Sequence, residues 1–305
     1  MFSHYSGMDA ADARVASGMA ILVTAAGGQL GRLAIAALLD RGVPASDIVA
    51  GARDPQKLSD LAARGVRTVE LDYDRPETVS AAMGGVDRVL LISSPTPGRR
   101  AAQHQSVIDA AAAAGVTQLV YTSAPKATTS ELVLAPEHKA TEEAIAASGV
   151  PATILRNGWY TENYVSTADQ ARSTGEIVAS VGSGRVASAG RKDYAEAAAV
   201  VLTTDGHVGR VYELSGDEAW DYDRLASAIG AAIGREVTFR DVSPEEHAAL
   251  LRDAGVPEGT AGFVVALDQN TKAGLLAETS GDLSRLIGHP TTPLETGLAE
   301  AVAAG

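Results

Sequence analysis

The chain has 305 residues, 46% of them hydrophobic, few aromatics and a formal net charge of -13. That length supports a large core as one or two domains, and the acidity argues against a surface for nucleic acid or anionic membranes. The absence of cysteine excludes disulfides, thiolate metal sites and cysteine nucleophiles.

No apolar run is long enough to span a bilayer. Residues 1–18 carry His4, Asp9 and Asp12 without a continuous apolar segment. They read as a disordered extension or as sequence ahead of a natural start at Met19, not as a signal peptide, and the whole points to a cytoplasmic protein.

The first strand is Ala20–Val23, apolar without alternation and therefore buried on both faces. A small-residue turn with Gly27 and Gly28 follows. Leu30, Leu33, Ala34, Ala37 and Leu38 then recur at helical spacing. A strand turning sharply into a helix leaves backbone N–H groups that suit a phosphate, which makes Thr24, Gly27, Gly28, Gln29 and Leu30 candidates for a dinucleotide site. The fingerprint Gly-x-x-Gly-x-x-Gly is departed from once: Gly28 and Gly31 fill its later places, and Ala25 fills the first. Two outcomes are open: the added methyl presses on the turn and holds the amides of Gly27 to Leu30 off their best positions, which is the favoured reading, or Ala26 and Gly27 absorb the change.

The second strand, Asp47–Arg53, ends in a cation where NAD sites commonly carry an acid. Arg53 with Lys57 one turn on favours a 2′-phosphate and hence NADPH (NADP). The third strand, Val66–Leu71, ends at Asp72 and Tyr73, which suit the adenine side. For Asp72, capping of the turn before Pro76 is an equal alternative. The fourth, Val86–Ile92, ends at Ser93 and Ser94. The fifth, Gln118–Thr122, ends at Ser123, and the sixth, Pro151–Arg156, leads to Asn157, Gly158, Trp159 and Tyr160. Ligands gather at such strand ends.

Six strand–helix units in succession predict an α/β fold, a Rossmann-type doubly wound parallel sheet, with a smaller C-terminal α+β substrate lobe. The expected division is residues 19–158 for cofactor binding and 159–305 mainly for the lobe, with some of its segments free to return to the sheet. In that half, strands are expected at Ile177–Ala179, Val211–Leu214 and Glu236–Arg240. A helix over 245–254 opens with Ser243, Pro244 and a reciprocal Glu246, and residues 258–278 read as interrupted by glycines. His207, His247 and His289 read as surface or helix-end residues, and His104 as structural. No histidine cluster has metal-ligand spacing.

The run LAPEHKATEEAIAASGVPATILRNGWYTENY, residues 134–164, resembles the NmrA-like atypical short-chain dehydrogenases. The likeness is strongest to the bacterial NAD(P)H:quinone oxidoreductase 2 type, with triphenylmethane reductase a near relative. LVTAAGGQLG (22–31), LDYDRPETV (71–79), LLISS (90–94) and LIGHPTTPL (286–294) extend it over most of the chain. The resemblance implies hydride transfer from NADPH to a quinone-like acceptor. It matches Arg53 to a 2′-phosphate arginine, Asp72 and Tyr73 to the adenine side, and Ser93 and Ser94 to the residues after the fourth strand. Asn157, Gly158 and Trp159 match the loop past the nicotinamide. Asn157 and His138 are thus the catalytic candidates. His138 stands where relatives acting on other substrates carry a lysine. A histidine titrating near neutrality would suit proton donation, the alternative being a helix cap or ribose contact. Trp159 and Tyr160 can wall the acceptor pocket. A non-catalytic NADP(H) sensor and a tailoring reductase of aromatic or polyketide-like substrates are the alternatives on the same scaffold. A homodimer is also open.

Overall fold

The computed structural model describes residues 18–304. The expected extension, apart from Gly18, lies outside the described residues. The first half alternates β1 (Ile21–Val23), α1 (Gln29–Asp40), β2 (Ile48–Ala52), α2 (Ser59–Ala63), β3 (Arg67–Glu70), α3 (Pro76–Ala82), β4 (Arg88–Leu91), α4 (Arg100–Ala114), β5 (Gln118–Ser123), α5 (Ala135–Ser148) and β6 (Ala152–Asn157). Then come α6 (Val165–Thr174), β7 (Glu176–Ala179), β8 (Arg185–Val186), α7 (Arg191–Thr203), β9 (Val211–Leu214), β10 (Trp220–Asp221), α8 (Tyr222–Ile233) and β11 (Thr238–Asp241). Four helices close the chain: α9 (Pro244–Asp253), α10 (Glu258–Lys272), α11 (Asp282–Ile287) and α12 (Leu294–Ala304).

The main sheet runs β3-β2-β1-β4-β5-β6-β9, and every neighbouring pair is parallel. Strand order reverses between β1 and β4, so a crevice opens at their carboxyl ends. Period-two alternation splits the strand side chains between the faces. Ile21, Val23, Leu90 and Leu155 face α1 and α7. Leu22, Val89, Leu91 and Tyr121 face α3 and α4. This is the Rossmann-type doubly wound architecture.

The lobe holds two small ribbons, β7 with β11 in parallel and β8 with β10 antiparallel. Its core is separate, built from Tyr164, Ile177, Trp220, Tyr222, Leu225 and Leu298 among others. Residues after 158 serve both parts: α7 packs under the sheet and β9 extends its edge, whereas α6, α8, α10 and α12 build the lobe.

Three readings of the second half are corrected. Residues 258–272 form one continuous helix, because Gly259 and Gly262 sit in its open first turns while Ala261, Asp268 and Thr271 anchor it. Ser243 Oγ does accept from the Glu246 amide at 3.1 Å. The Glu246 carboxylate, however, turns to Arg240 at 2.9 Å, so the reciprocal half of the capping box is not made. His247 is buried rather than exposed, its Nδ1 lying 2.7 Å from Asp268.

Candidate active site

The turn after β1 has a left-handed residue at its base. Ala25 sits at φ 48. Its carbonyl accepts from the Gly28 amide at 2.9 Å, and Ala26 N donates to Gly51 O at 2.9 Å. A Cβ on Gly31 would stand 2.5 Å from the Ala25 carbonyl oxygen, so the helix approaches the turn as closely as glycine allows. The first turn of α1 has neither a side-chain cap nor an acidic residue. The N–H groups of Gln29, Leu30 and Gly31 therefore lack helical partners, and Gly27, Gly28 and Gln29 are exposed. The cradle fits a pyrophosphate.

The expected pressure of the Ala25 methyl takes the form of backbone strain. Left-handed alanine costs about 1–2 kcal/mol. Ala25→Gly relieves that but loses about 0.4–1 kcal/mol through the freer unfolded chain. The net is a gain of up to about 1.5 kcal/mol in urea unfolding. A lower stability for the glycine variant would show that the turn is unstrained.

A Cβ on Gly27 would stand 3.8 Å from the Leu58 side chain and 3.9 Å from the Ala52 Cβ, so the end of β2 borders the turn. Arg53 and Lys57 are both exposed there, and neither side chain has a hydrogen-bond or ion-pair partner among the described residues. The neighbouring Arg32 is already committed, to Asp60 at 2.7 Å and to Lys57 O at 2.7 Å. Asp72 takes the capping role with one oxygen, accepting from Asp74 N at 3.1 Å.

Several hydroxyls at the strand ends serve as struts of the fold. Thr24 is fully buried, donates to Leu90 O at 3.0 Å and accepts from Ile92 N at 3.0 Å. Tyr73 binds Thr24 Oγ1 at 2.6 Å and Ile92 O at 2.7 Å, so its phenol ties β3 to the ends of β1 and β4. Ser94 is buried, and its hydroxyl donates to Gln103. Ser123 donates to Glu142 at 2.6 Å. These hydroxyls are hydrogen-bonded within the protein. Ser93 keeps a half-open hydroxyl, with its amide on Thr122 Oγ1 at 2.9 Å.

His138 is buried at the start of α5, with Nδ1 2.7 Å from Tyr121 Oη and Nε2 3.4 Å from Arg100 Nη1. Arginine only donates, so Nε2 accepts and the ring proton sits on Nδ1, facing Tyr121. Burial, with the Arg100 charge second, pushes its pKa down to about 3. The near-neutral acid expected from the sequence is corrected: His138 is neutral, and both its nitrogens are taken. His104 beside it is also fully buried. Its Nε2 accepts from Ser94 N at 2.9 Å and its Nδ1 meets Thr141 Oγ1 at 3.0 Å. Sequence reasoning missed Arg100, buried at the head of α4 and donating to Ser94 O at 2.8 Å. Its place just past the Ser93–Ser94 strand end was the available signal.

At the end of β6, Arg156 binds Glu142 at 2.7 Å and Glu213 at 2.7 Å, joining α5, β6 and β9. The next residue, Asn157, is 5% exposed. Its amide nitrogen donates to Tyr160 Oη at 3.1 Å, while its Oδ1 is buried with no partner. Trp159 Nε1 is buried and unpartnered too. The Arg191 guanidinium lies 5.0 Å above the Tyr160 ring. The loop after β5 roofs this corner, held to the lobe by Lys126 on Glu278 and by Val133 N on Asn270 at 2.8 Å.

A glycine cradle, two free cations and unpaired polar atoms, all at the carboxyl edge of a doubly wound sheet, define a dinucleotide-binding site. The family described as NAD(P)H-binding matches residues 25–205, and the chain belongs to it. It is 46% identical to quinone oxidoreductase 2 of Escherichia coli over 274 residues, 90% of this chain and 96% of that protein. The crystal structure of the NADPH-dependent E. coli enzyme complexed with NADPH superposes with a TM-score of 0.87 at 45% identity, covering 93% of this chain and 99% of that one. Triphenylmethane reductase of Citrobacter sp., complexed with NADP(H), matches with a TM-score of 0.85 at 39% identity over 92% of this chain and all of the other. The resemblance seen in residues 134–164 thus runs through the whole fold.

Proposed function

We propose that the protein is an NADPH-dependent reductase that transfers hydride to a quinone-like acceptor. The observation that carries the cofactor choice is the pair of uncommitted cations, Arg53 and Lys57, beside the glycine turn. The extent of the match to quinone oxidoreductase 2 supports the acceptor class. The amides of Gly27 to Leu30 and the α1 N-terminus hold the pyrophosphate. Arg53 and Lys57 take the 2′-phosphate. The free oxygen of Asp72 and the Ser93 hydroxyl face the adenosine side. When bound, NADPH supplies the hydride.

Asn157 presents its unpaired carbonyl oxygen on the nicotinamide side, and Trp159 and Tyr160 wall the acceptor. A quinone tolerates the lack of a side-chain acid, because the reduced anion is delocalised and takes its proton from water. The protein supplies position and a dry, polar surround. Every group in this scheme comes from one chain. No described helix is long and apolar enough to cross a membrane.

The test is NADPH oxidation against a panel of quinones, with NADH as control. Tight NADPH binding without turnover on any quinone would favour the sensor reading instead. Charge-assisted contacts to the 2′-phosphate predict that NADPH binds about ten- to a hundredfold more tightly than NADH, and that Arg53→Ala removes most of the difference. Equal affinities in the unaltered protein would reject the assignment.

A further inference from the structure

A cavity of about 30 Å³ lies at the carboxyl ends of β5, β6 and β9, between the sheet and the lobe. Gly158, the residue between Asn157 and Trp159, forms part of its wall, with Leu214 and Ser215 at the end of β9 and Leu276 of the lobe. Lys126 lines it from the sheet side and Glu278 from the lobe side. Their side chains meet in an ion pair and are 53% and 57% exposed. The pair therefore stands at the solvent boundary and bars the mouth. A cavity of this size has room for a water or two, whereas ligand sites commonly need about 300–1,000 Å³. The free space inside the cavity and across its mouth is about 380 Å³. A single ring fits there once the bar is withdrawn.

The walls do not give. Gly158 N donates to Leu214 O at 2.7 Å, and a Cβ on Gly158 would come within 2.8 Å of the same oxygen. On the sheet side, Lys126 N donates to Glu213 at 3.1 Å. Lys126 O accepts from Thr129 N and Ser130 N at 2.8 Å each. On the lobe side, Ala187 N donates to Leu276 O at 2.8 Å and Ser280 N to Ser215 Oγ at 3.2 Å. The two long side chains are the part free to swing. Parting them costs little, because water solvates the separated charges of an exposed pair almost as well. Lys126 also has a left-handed backbone, φ 46, shared among the described non-glycine residues only with Ala25. Such strain persists only where the surroundings hold it, and it gathers at clamps and switches.

We propose that Lys126 and Glu278 gate the entrance of the acceptor and set the size of acceptor that enters. This rests on the quinone-reductase reading above. The cavity shares the Gly158 turn with Asn157, so an acceptor entering here meets the turn assigned to the nicotinamide side. A small ring needs the pair only briefly parted. A larger one needs it held open, and the closed state therefore taxes bulky acceptors more. The two residues govern passage and touch no reacting atom, which makes them determinants of specificity.

The chain has no cysteine, so the Lys126→Cys, Glu278→Cys double variant carries thiols at the gate alone. Bridging them with bismaleimidoethane bars the mouth covalently, and capping them with N-ethylmaleimide leaves it unbridged. Turnover of a naphthoquinone should fall in proportion to the bridged fraction, with the Kd for NADPH unchanged, while the capped protein stays active. Removing the bar acts the other way. Lys126→Ala and Glu278→Ala should each lower KM for a naphthoquinone by up to about fivefold relative to a benzoquinone. Native turnover by the bridged protein would overturn the proposal. So would an equal loss in the bridged and capped forms, a loss matched by weaker NADPH binding, or an unchanged preference between the two quinones in both alanine variants. A native protein inactive on every quinone fails the reading of function itself. An active one that the bridge leaves untouched fails only the gate.

Discussion

Arg156→Met is expected to cost about 3–5 kcal/mol of folding stability, the usual result of breaking a buried ion pair on one side. Arg156 is the hub between Glu142 and Glu213, each at 2.7 Å, and the Glu142 side chain is only 8% exposed. Without the guanidinium, the Glu142 carboxylate keeps the Ser123 hydroxyl as its remaining side-chain donor. The same hub orders the loop after β5, since Glu213 also accepts from Lys126 N at 3.1 Å. Arg156 immediately precedes Asn157, so the damage reaches the site through the backbone. Urea unfolding measures the loss. The double variant Arg156→Met, Glu142→Met should recover much of it, because the more deeply buried carboxylate leaves with the guanidinium and only the partly exposed Glu213 loses its partner. A single-variant cost below about 1 kcal/mol would place the pair in the class of solvated surface bridges.

The protein should also weaken steadily as the medium is acidified below pH 6.5. His104 and His138 both fall from the ordinary value of 6.5 to about 3, chiefly through burial and next through the Arg100 charge. Between those values the unfolded chain binds protons that the folded chain refuses. Their stabilising contribution is therefore full above pH 6.5 and is lost as pH falls toward 3. Each refused proton is worth about 1.4 kcal/mol per pH unit once the unfolded imidazole is fully charged. His207, lowered mainly by burial, adds in the same direction. His289, raised by its bond to Pro290 O and by Glu196, opposes it. Urea melts from pH 5 to 6.5 give the slope, and His104→Gln and His138→Gln should each flatten it. An unchanged slope in both variants would mean that these rings titrate normally. Turnover, by contrast, should show no limb belonging to His138 in this range.

The sheet was legible because its strands announce themselves: Ile21–Val23 and Val89–Ile92 are short apolar runs, and order follows from the alternation with helices. The glycine turn and the two cations were legible for the same local reason, since Arg53 and Lys57 follow β2 at fixed spacing. The roles of the hydroxyls were not. Thr24, Ser94 and Ser123 sit at strand ends exactly as ligand groups would, and only the packing shows Leu90, Gln103 and Glu142 taking their bonds. The His138 pKa depends on burial and on Arg100, which is distant in sequence. The helix over Glu258–Lys272 was hidden because its glycines fall in the first turns, where tertiary anchoring outweighs a local cost of about 1 kcal/mol each.

The two halves of the molecule are interlaced. After β6 the chain enters the lobe, returns to lay α7 beneath α1 and β9 beside β6, and then leaves again for β10 and α8. Neither half is a contiguous stretch of sequence. A chain cut at residue 158 would bare the edge of β6 and strip Tyr194, Ala198 and Leu202 from the underside of the sheet. The lobe is thus no cassette that recombination can exchange. On this scaffold a new acceptor is reached by replacing side chains around a fixed thread, one position at a time.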